Sequence, residues 1–370
     1  MLHSNLKHSQ NQQFGRLFVG ARKLASVFPE LGFYTLAGAP SSPRELLDEV
    51  RDGEAMGFGS VFISERFDIK EAATLSGAAA AVSERMQIVT AATNHNTRHP
   101  MVTASYATTM HRLTNGRFTL GLGRGIAPLF KAYGISPITN SEIEDVVNVM
   151  RRLWRGETII GHQGPLGNYP VLRLNSSFNE NIPMGWTAFG PKSLELGGRL
   201  FDTVILHTFF SDETLARCVR TVKVAAEKAG RNPDDVKVWS CFATIGDHLP
   251  EAVRLKKTVG RLATYLQGYG DLMVRTNQWD PQILQRFRED KVVRGMSGSI
   301  DGNATTDQLE HFATLIPDEW LAPAATGSPE HCAAKVREQI DLGADAVIMH
   351  GASPKDLAPI VTAYGTLLNQ

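Results

Sequence analysis

Met56-Gly57-Phe58-Gly59-Ser60-Val61-Phe62-Ile63-Ser64-Glu65-Arg66 is one instance of a unit that recurs along the 370-residue chain. A helix stops on glycine, a short apolar run follows, and a polar residue closes it. Glycine takes the left-handed conformation that ends a helix. The apolar run reads as a strand buried on both faces, as in a parallel sheet. Asn115-Gly116-Arg117 leads in the same way into Phe118-Thr119-Leu120-Gly121-Leu122, then Gly123-Arg124. Leu196-Gly197-Gly198 precedes Thr203-Val204-Ile205-Leu206, then His207. Leu342-Gly343-Ala344 precedes Ala346-Val347-Ile348-Met349, then His350.

The helices between these runs are well marked. Ser141 and Glu144 read as a capping box, followed by Ile143, Val146, Val147, Met150, Leu153 and Trp154 at helical spacing. Ser328-Pro329 and Ser353-Pro354 each place a cap residue before a proline at the first helical position. Strands are expected near 31–37, 59–63, 87–93, 117–123, 184–189, 203–207, 236–243 and 345–349. That alternation reads as an α/β protein, a (β/α)8 TIM barrel with insertions; a doubly wound open sheet is the alternative. Residues 156–182 read as a hairpin excursion and 268–325 as a long insertion after the seventh strand. One domain over 31–370 follows an N-terminal extension, 1–30, which is expected to be disordered apart from a short helix or arm near Phe14 to Phe28.

In a parallel barrel the polar residues closing the strands share one rim, and that rim holds the active site. The 38 basic and 38 acidic residues balance, so no net field favours nucleic acid or an anionic membrane. The expected partner is a small-molecule substrate. No apolar stretch is long enough to span a bilayer. Cys218, Cys241 and Cys332 are odd in number and far apart, which fits a reducing cytoplasm and buried, inert thiols.

Thr90-Ala91-Ala92-Thr93-Asn94-His95-Asn96-Thr97-Arg98-His99-Pro100 is the most unusual stretch. Small and amide residues at a rim allow the backbone to approach a planar ring; a turn that only positions the next helix is the plainer alternative. His95 and His99 have metal-ligand spacing on a helix, but Pro100 disfavours helix at His99 and no carboxylate lies nearby, so no metal is expected. Phe189-Gly190-Pro191-Lys192-Ser193 opens a helix whose N–H groups attract phosphate. Glu65 and Arg66 close the second strand, either as a rim ion pair or as a cofactor contact and an anion-stabilising charge. His207 and His350 are rim proton donors or satisfied core histidines.

Thr93 to Pro100, Asn115-Gly116-Arg117-Phe118, Leu120 to Gly123, Ala188 to Leu196, Thr326 to Glu330 and Gly343-Ala344-Asp345 together resemble the luciferase-like monooxygenase superfamily, in particular its F420-dependent oxidoreductase branch. The resemblance covers about residues 31 to 368. It implies hydride transfer between the deazaflavin coenzyme F420 and an alcohol, aldehyde or activated double bond. It implies a homodimer, and a non-proline cis peptide at Ala91-Ala92 pressed against the cofactor ring. By the same resemblance Glu65 and Asn94 contact the cofactor, Arg124 and Gly125 lie along its tail, and Phe189, Gly190, Lys192 and Ser193 hold its phosphate side. Glu65, Arg66 and His95 are the catalytic candidates.

Two departures stand out. Family dehydrogenases with Asp-His after the second strand differ from Glu65-Arg66 here, so the usual histidine proton donor is missing. Ile126 replaces an acidic residue of the sugar-phosphate dehydrogenases, which argues against glucose 6-phosphate. An FMN-dependent monooxygenase on the same barrel, and a cofactor-binding barrel without catalysis, remain alternatives.

Overall fold

The strands of the chain are β1 (Phe28–Tyr34), β2 (Phe58–Ile63), β3 (Gln87–Thr90), β4 (Phe118–Leu122), β5 (Thr158–Gly164), β6 (Gly167–Arg173), β7 (Met184–Thr187), β8 (Thr203–Ile205), β9 (Lys237–Gly246), β10 (Ala324–Gly327) and β11 (Ala346–His350). They are seen in a computed structural model that describes residues 27–38, 40–67 and 69–369. The expected N-terminal extension therefore lies almost wholly outside the described residues.

Parallel pairing runs β11-β1-β2-β3-β4-β7-β8, and β8 and β11 both pair with β9. Val204 sits opposite Val238 and Ile348 opposite Cys241, so the sheet closes on itself. This is the eight-stranded (β/α)8 barrel read from the sequence, with the open-sheet alternative removed. β10 adds a ninth strand, which pairs with the last residues of β9, Ala243 to Gly246, beyond the part that β8 pairs.

Side chains fill the barrel interior. The Phe62 and Trp239 rings meet at 4.9 Å, with Val89, Ile205, Ala346 and Ile348 around them. Gly32 makes room for both rings, since a Cβ there would lie 2.6 Å from Phe62. A larger core fills the space between the sheet and the outer helices.

Several helix boundaries differ from the sequence reading. The capping box is Thr139 with Glu142, while Ser141 lies inside the helix Asn140–Trp154. Gly197 and Gly198 do not end a helix, because Pro191–Leu200 runs through them. Their role is close packing: a Cβ would lie 2.8 Å from Val204 at Gly197 and 2.2 Å from the Val222 carbonyl oxygen at Gly198. Gly57 and Gly343 do take the left-handed conformation, with φ of 95° and 106°. Ser328 and Ser353 cap their helices.

The excursion near 156–182 contains the antiparallel pair β5–β6. The long insertion begins earlier than expected, directly after β9, and is helical. Its helices Arg261–Asn277, Pro281–Glu289 and Thr306–Leu315 pack around Leu262, Leu266, Met273, Phe287, Phe312 and Trp320 as a second core. Among the described residues no helix is long and apolar enough to cross a membrane, and all three cysteines are buried and free.

Candidate active site

After β3 the chain crosses the barrel mouth as Ala91-Ala92-Thr93-Asn94. The Ala91–Ala92 peptide bond is cis. Neighbouring strands hold this segment on both sides. Ala91 N–H donates to the Ile63 carbonyl at 2.7 Å, Glu65 N–H to the Ala92 carbonyl at 3.2 Å, and Thr93 N–H to the Gly121 carbonyl at 3.0 Å. Glycine is required beneath it. A Cβ on Gly121 would lie 1.8 Å from the Thr90 carbonyl oxygen, and one on Gly123 would lie 2.7 Å from Ala92 Cβ and 2.5 Å from Thr187 Oγ1. Buried Asn94 donates its amide to the Gly123 carbonyl at 2.7 Å, which turns its Oδ1 the other way.

Glu65 lies under this turn, with its side chain only 3% exposed. Arg98 Nη2 donates to both the Glu65 and Glu71 carboxylates, and its Nη1 donates to Thr93 Oγ1 at 2.8 Å. Thr93 Oγ1 in turn donates to Glu65. The carboxylate is thus engaged from within the protein, and acts as a strut for the turn. Arg66 is exposed and donates to the Gly38 carbonyl at 2.8 Å. His95 opens a short 3-10 turn and is buried, its Nδ1 without a partner. Burial pushes its pKa down to about 4. His99 is not helical; its ring nitrogen caps the helix Pro100–Leu113.

Arg124 and Ser193 converge on one indole. The Arg124 guanidinium lies 5.3 Å from the Trp186 ring, and Trp186 Nε1 donates to Ser193 Oγ at 2.9 Å. Arg124 also bonds the Ile138 carbonyl and the Asn140 side chain. Gly125, at φ 69°, sits against the Phe130 ring. Gly190 is the cap of the helix Pro191–Leu200 and offers no side-chain cap; Lys192 there is exposed.

The opposite side of the mouth is aromatic and titratable. Phe189 meets the His207 ring at 4.6 Å, and His207 meets Tyr265 at 4.7 Å. Tyr265 and Tyr269 stack at 5.4 Å. Burial, with the Arg261 charge nearby, holds His207 down to about 4. Burial holds His350 well below the ordinary histidine value, and its Nδ1 has no partner. Its ring packs edge-on to Tyr34 at 5.4 Å. A cavity of about 570 Å³ among Asn181, Asp202, Arg231 and Asp235 opens at the other end of the barrel, away from all of these groups.

The sequence profile described as luciferase-like monooxygenase matches residues 27–346. The chain belongs to the luciferase-like monooxygenase family. A 5,10-methylenetetrahydromethanopterin reductase of Methanolobus tindarius is 24% identical over 316 residues, covering 84% of this chain and 91% of that protein. An F420-dependent glucose-6-phosphate dehydrogenase of Intrasporangium calvum is 26% identical over 325 residues, covering 83% and 89%. Among solved structures, the coenzyme F420-dependent tetrahydromethanopterin reductase from Methanopyrus kandleri superposes with a TM-score of 0.74 at 18% identity, covering 93% of this chain and 99% of that one.

Within this luciferase-like barrel, Ala91, Ala92 and Asn94 form a floor continuous with Gly123 and Thr187. Phe189 follows Thr187 by two residues, and Arg124 and Ser193 meet at the Trp186 indole. Glu65 is beneath the floor and Arg66 is at the outer edge. Motif reading missed Arg98, Tyr265 and Tyr269. Arg261, Tyr265 and Tyr269 recur every four residues, a helical face that could have been found had 261–277 been read as a helix.

Proposed function

We propose that the chain is a cytoplasmic, homodimeric oxidoreductase that moves a hydride between coenzyme F420 and a small organic substrate: an alcohol, an aldehyde or an activated double bond. The observation that carries this reading is the floor of Ala92, Gly123 and Thr187 after the Ala91–Ala92 turn, packed so closely that a Cβ on Gly123 would lie 2.7 Å from Ala92 Cβ and 2.5 Å from Thr187 Oγ1. Such a surface accepts a planar ring with no side chain in the way. The F420-linked relatives give the cofactor.

The residues present fit this cofactor. His350 Nδ1 is a buried polar atom without a partner at the mouth. Asn94 is fixed with Oδ1 turned away from Gly123. The open N-terminus after Gly190, with Lys192 and the Ser193 hydroxyl, suits an anionic phosphate. When bound, F420 supplies the two-electron hydride chemistry. The protein orients it: Ala91, Ala92 and Asn94 would meet the ring, and Gly190, Lys192 and Ser193 the phosphate. Glu65 and Arg98 act from below, keeping the turn in place. Phe189, Tyr265 and Tyr34 keep water from the reacting face.

Fluorescence titration with F420 and with FMN tests the reading. F420 binding without FMN binding is the expected outcome. Tight FMN binding without F420 binding would sink it and turn the chain into an FMN-dependent monooxygenase. Light scattering checks the dimer.

A further inference from the structure

Tyr269 Oη lies 2.8 Å from His207 Nε2, and His207 Nδ1 lies 3.0 Å from the Thr208 carbonyl oxygen. A carbonyl only accepts, so Nδ1 carries the proton and Nε2 accepts from the Tyr269 hydroxyl. The resulting chain runs from a phenol through an imidazole to the backbone. We propose that Tyr269 exchanges a proton with the oxygen of the substrate, and that His207 positions Tyr269 and takes up the displaced proton. This rests on the F420-linked reading above and narrows its substrates to an alcohol and the corresponding carbonyl compound.

The placement supports it. Tyr269 and His207 keep some accessible surface although rings enclose them on several sides. They face the mouth across Phe189, two residues beyond Thr187 at the end of β7, whose Oγ1 neighbours Gly123 of the floor. The loop that bears His207 is clamped to the helix that bears Tyr269. Asn277, at the end of Arg261–Asn277, donates to the Phe209 carbonyl at 3.0 Å and accepts from Ser211 N–H at 3.1 Å. Phe209 is held at a positive φ of 62°, which a bulky residue keeps only where its surroundings fix it. The helix departs from regular geometry at Tyr269 itself.

In alcohol oxidation the substrate O–H bond breaks and its proton joins Tyr269 Oη. The proton formerly on Oη moves to His207 Nε2. The C–H bond breaks with its electron pair, which leaves as hydride to oxidised F420, and the C=O bond forms. His207 then holds an extra proton. Its low affinity for protons, set by burial and by Arg261, returns that proton to solvent near neutral pH. Carbonyl reduction is the reverse. The other titratable or charged groups around the pair are Tyr265 and Arg261 on the same helix, Asp301 paired to Arg261 at 2.8 Å, Cys241 on β9 and His350 on β11.

Oxidised F420 with a panel of primary and secondary alcohols is the probe, followed by loss of the cofactor's visible absorbance. Tyr269→Phe keeps the ring and its stacking and removes only Oη. Expected is unchanged F420 affinity, a kcat lowered about 10²–10⁴-fold, and a KM changed less than about threefold. His207→Gln should lower kcat by less and displace the pH profile. Isotope-labelled histidine NMR on the cofactor-free chain gives a readout independent of turnover. His207 should be the Nδ1–H tautomer with Nε2 hydrogen-bonded, and Tyr269→Phe should move Nε2 toward a free imidazole. An intact kcat in Tyr269→Phe overturns the relay and leaves the F420 reading standing. Failure of the unaltered protein to bind F420 overturns that reading and the relay with it. F420 binding with no turnover of any alcohol or carbonyl compound overturns the substrate assignment and the relay with it, and leaves F420 binding standing.

Discussion

On the β2–β4 side of the barrel mouth, polar side chains hydrogen-bond to one another and to the crossing backbone. Arg98, Glu65 and Thr93 close on themselves, and Asn94 is pinned to Gly123. On the β8–β9 side, His207 instead stands against Tyr265 and Tyr269 of a helix that the eightfold repeat does not supply. The first side is a floor made by the barrel from small residues and held from below. The second is a wall made by the insertion from large, titratable ones. In the proposed function, the repeat of the fold builds the surface for a planar ring, while the inserted helices decide what meets it.

The largest effect that would break this contrast is at Arg98. Arg98→Met leaves the Glu65 carboxylate buried with its main charge partner gone. Removing one member of a buried ion pair typically destabilises by about 3–5 kcal/mol. Chemical unfolding should show a loss of that order, together with weakened F420 binding. An unchanged midpoint would mean that Glu65 is not a strut. Gly121→Ala comes next. Its Cβ would meet a backbone carbonyl oxygen at 1.8 Å, so β3 and β4 must part, at the upper end of the roughly 1–3 kcal/mol typical of overpacking. Gly134→Ala makes a useful foil: no atom lies within 4 Å, and only its φ of 69° opposes the change.

The floor was far more legible in the sequence than the wall. Thr90 to Pro100 follows an apolar run and contains alanines, amides and a proline, so its place at a strand end could be read from local chemistry alone. Arg98 lay in that same stretch, but its partners Glu65 and Glu71 are set by closure of the barrel, which no local pattern encodes. Tyr265 and Tyr269 were hidden for a different reason. Glycines at 268 and 270 and the break at Tyr269 interrupt the helical signal just where the side chains reach the mouth. Gly197 and Gly198 misled in the opposite sense: they read as a stop, yet they serve close packing against β8 and the helix Asp212–Lys228.

The pH dependence of stability sharpens the comparison, because buried histidines stand on both sides. Burial lowers His95 and His207 to about 4 from the ordinary 6.5, and holds His350 well below it too. For a base with a depressed folded-state pKa, the unfolded chain binds more protons between the two values. Stability therefore rises with pH across that window. It is undiminished above about 6.5 and falls as the pH drops toward 4. Each histidine adds up to about 1.4 kcal/mol per pH unit to the slope. Unfolding midpoints from pH 7 to 4 should show this fall. His207→Gln should flatten the slope by about one proton, and an unaltered slope would place His207 outside the low-dielectric wall.

The smallest expected effect lies between floor and wall, at Lys192. Its side chain is exposed at the start of Pro191–Leu200, and the adjacent N-terminus has no side-chain cap. An exposed charge contributes little to folding, so Lys192→Ala should leave the unfolding midpoint within about 0.5 kcal/mol. Toward an anionic phosphate the lysine adds an exposed ion pair, worth about 0.2–1 kcal/mol and screened by salt. F420 affinity should therefore fall about two- to fivefold at low ionic strength, and the difference from the unaltered protein should shrink as salt is added. A loss that persists at high salt would mean that Lys192 makes a desolvated contact. The phosphate side would then be as enclosed as the His207 wall, and the open boundary between floor and wall would have to move.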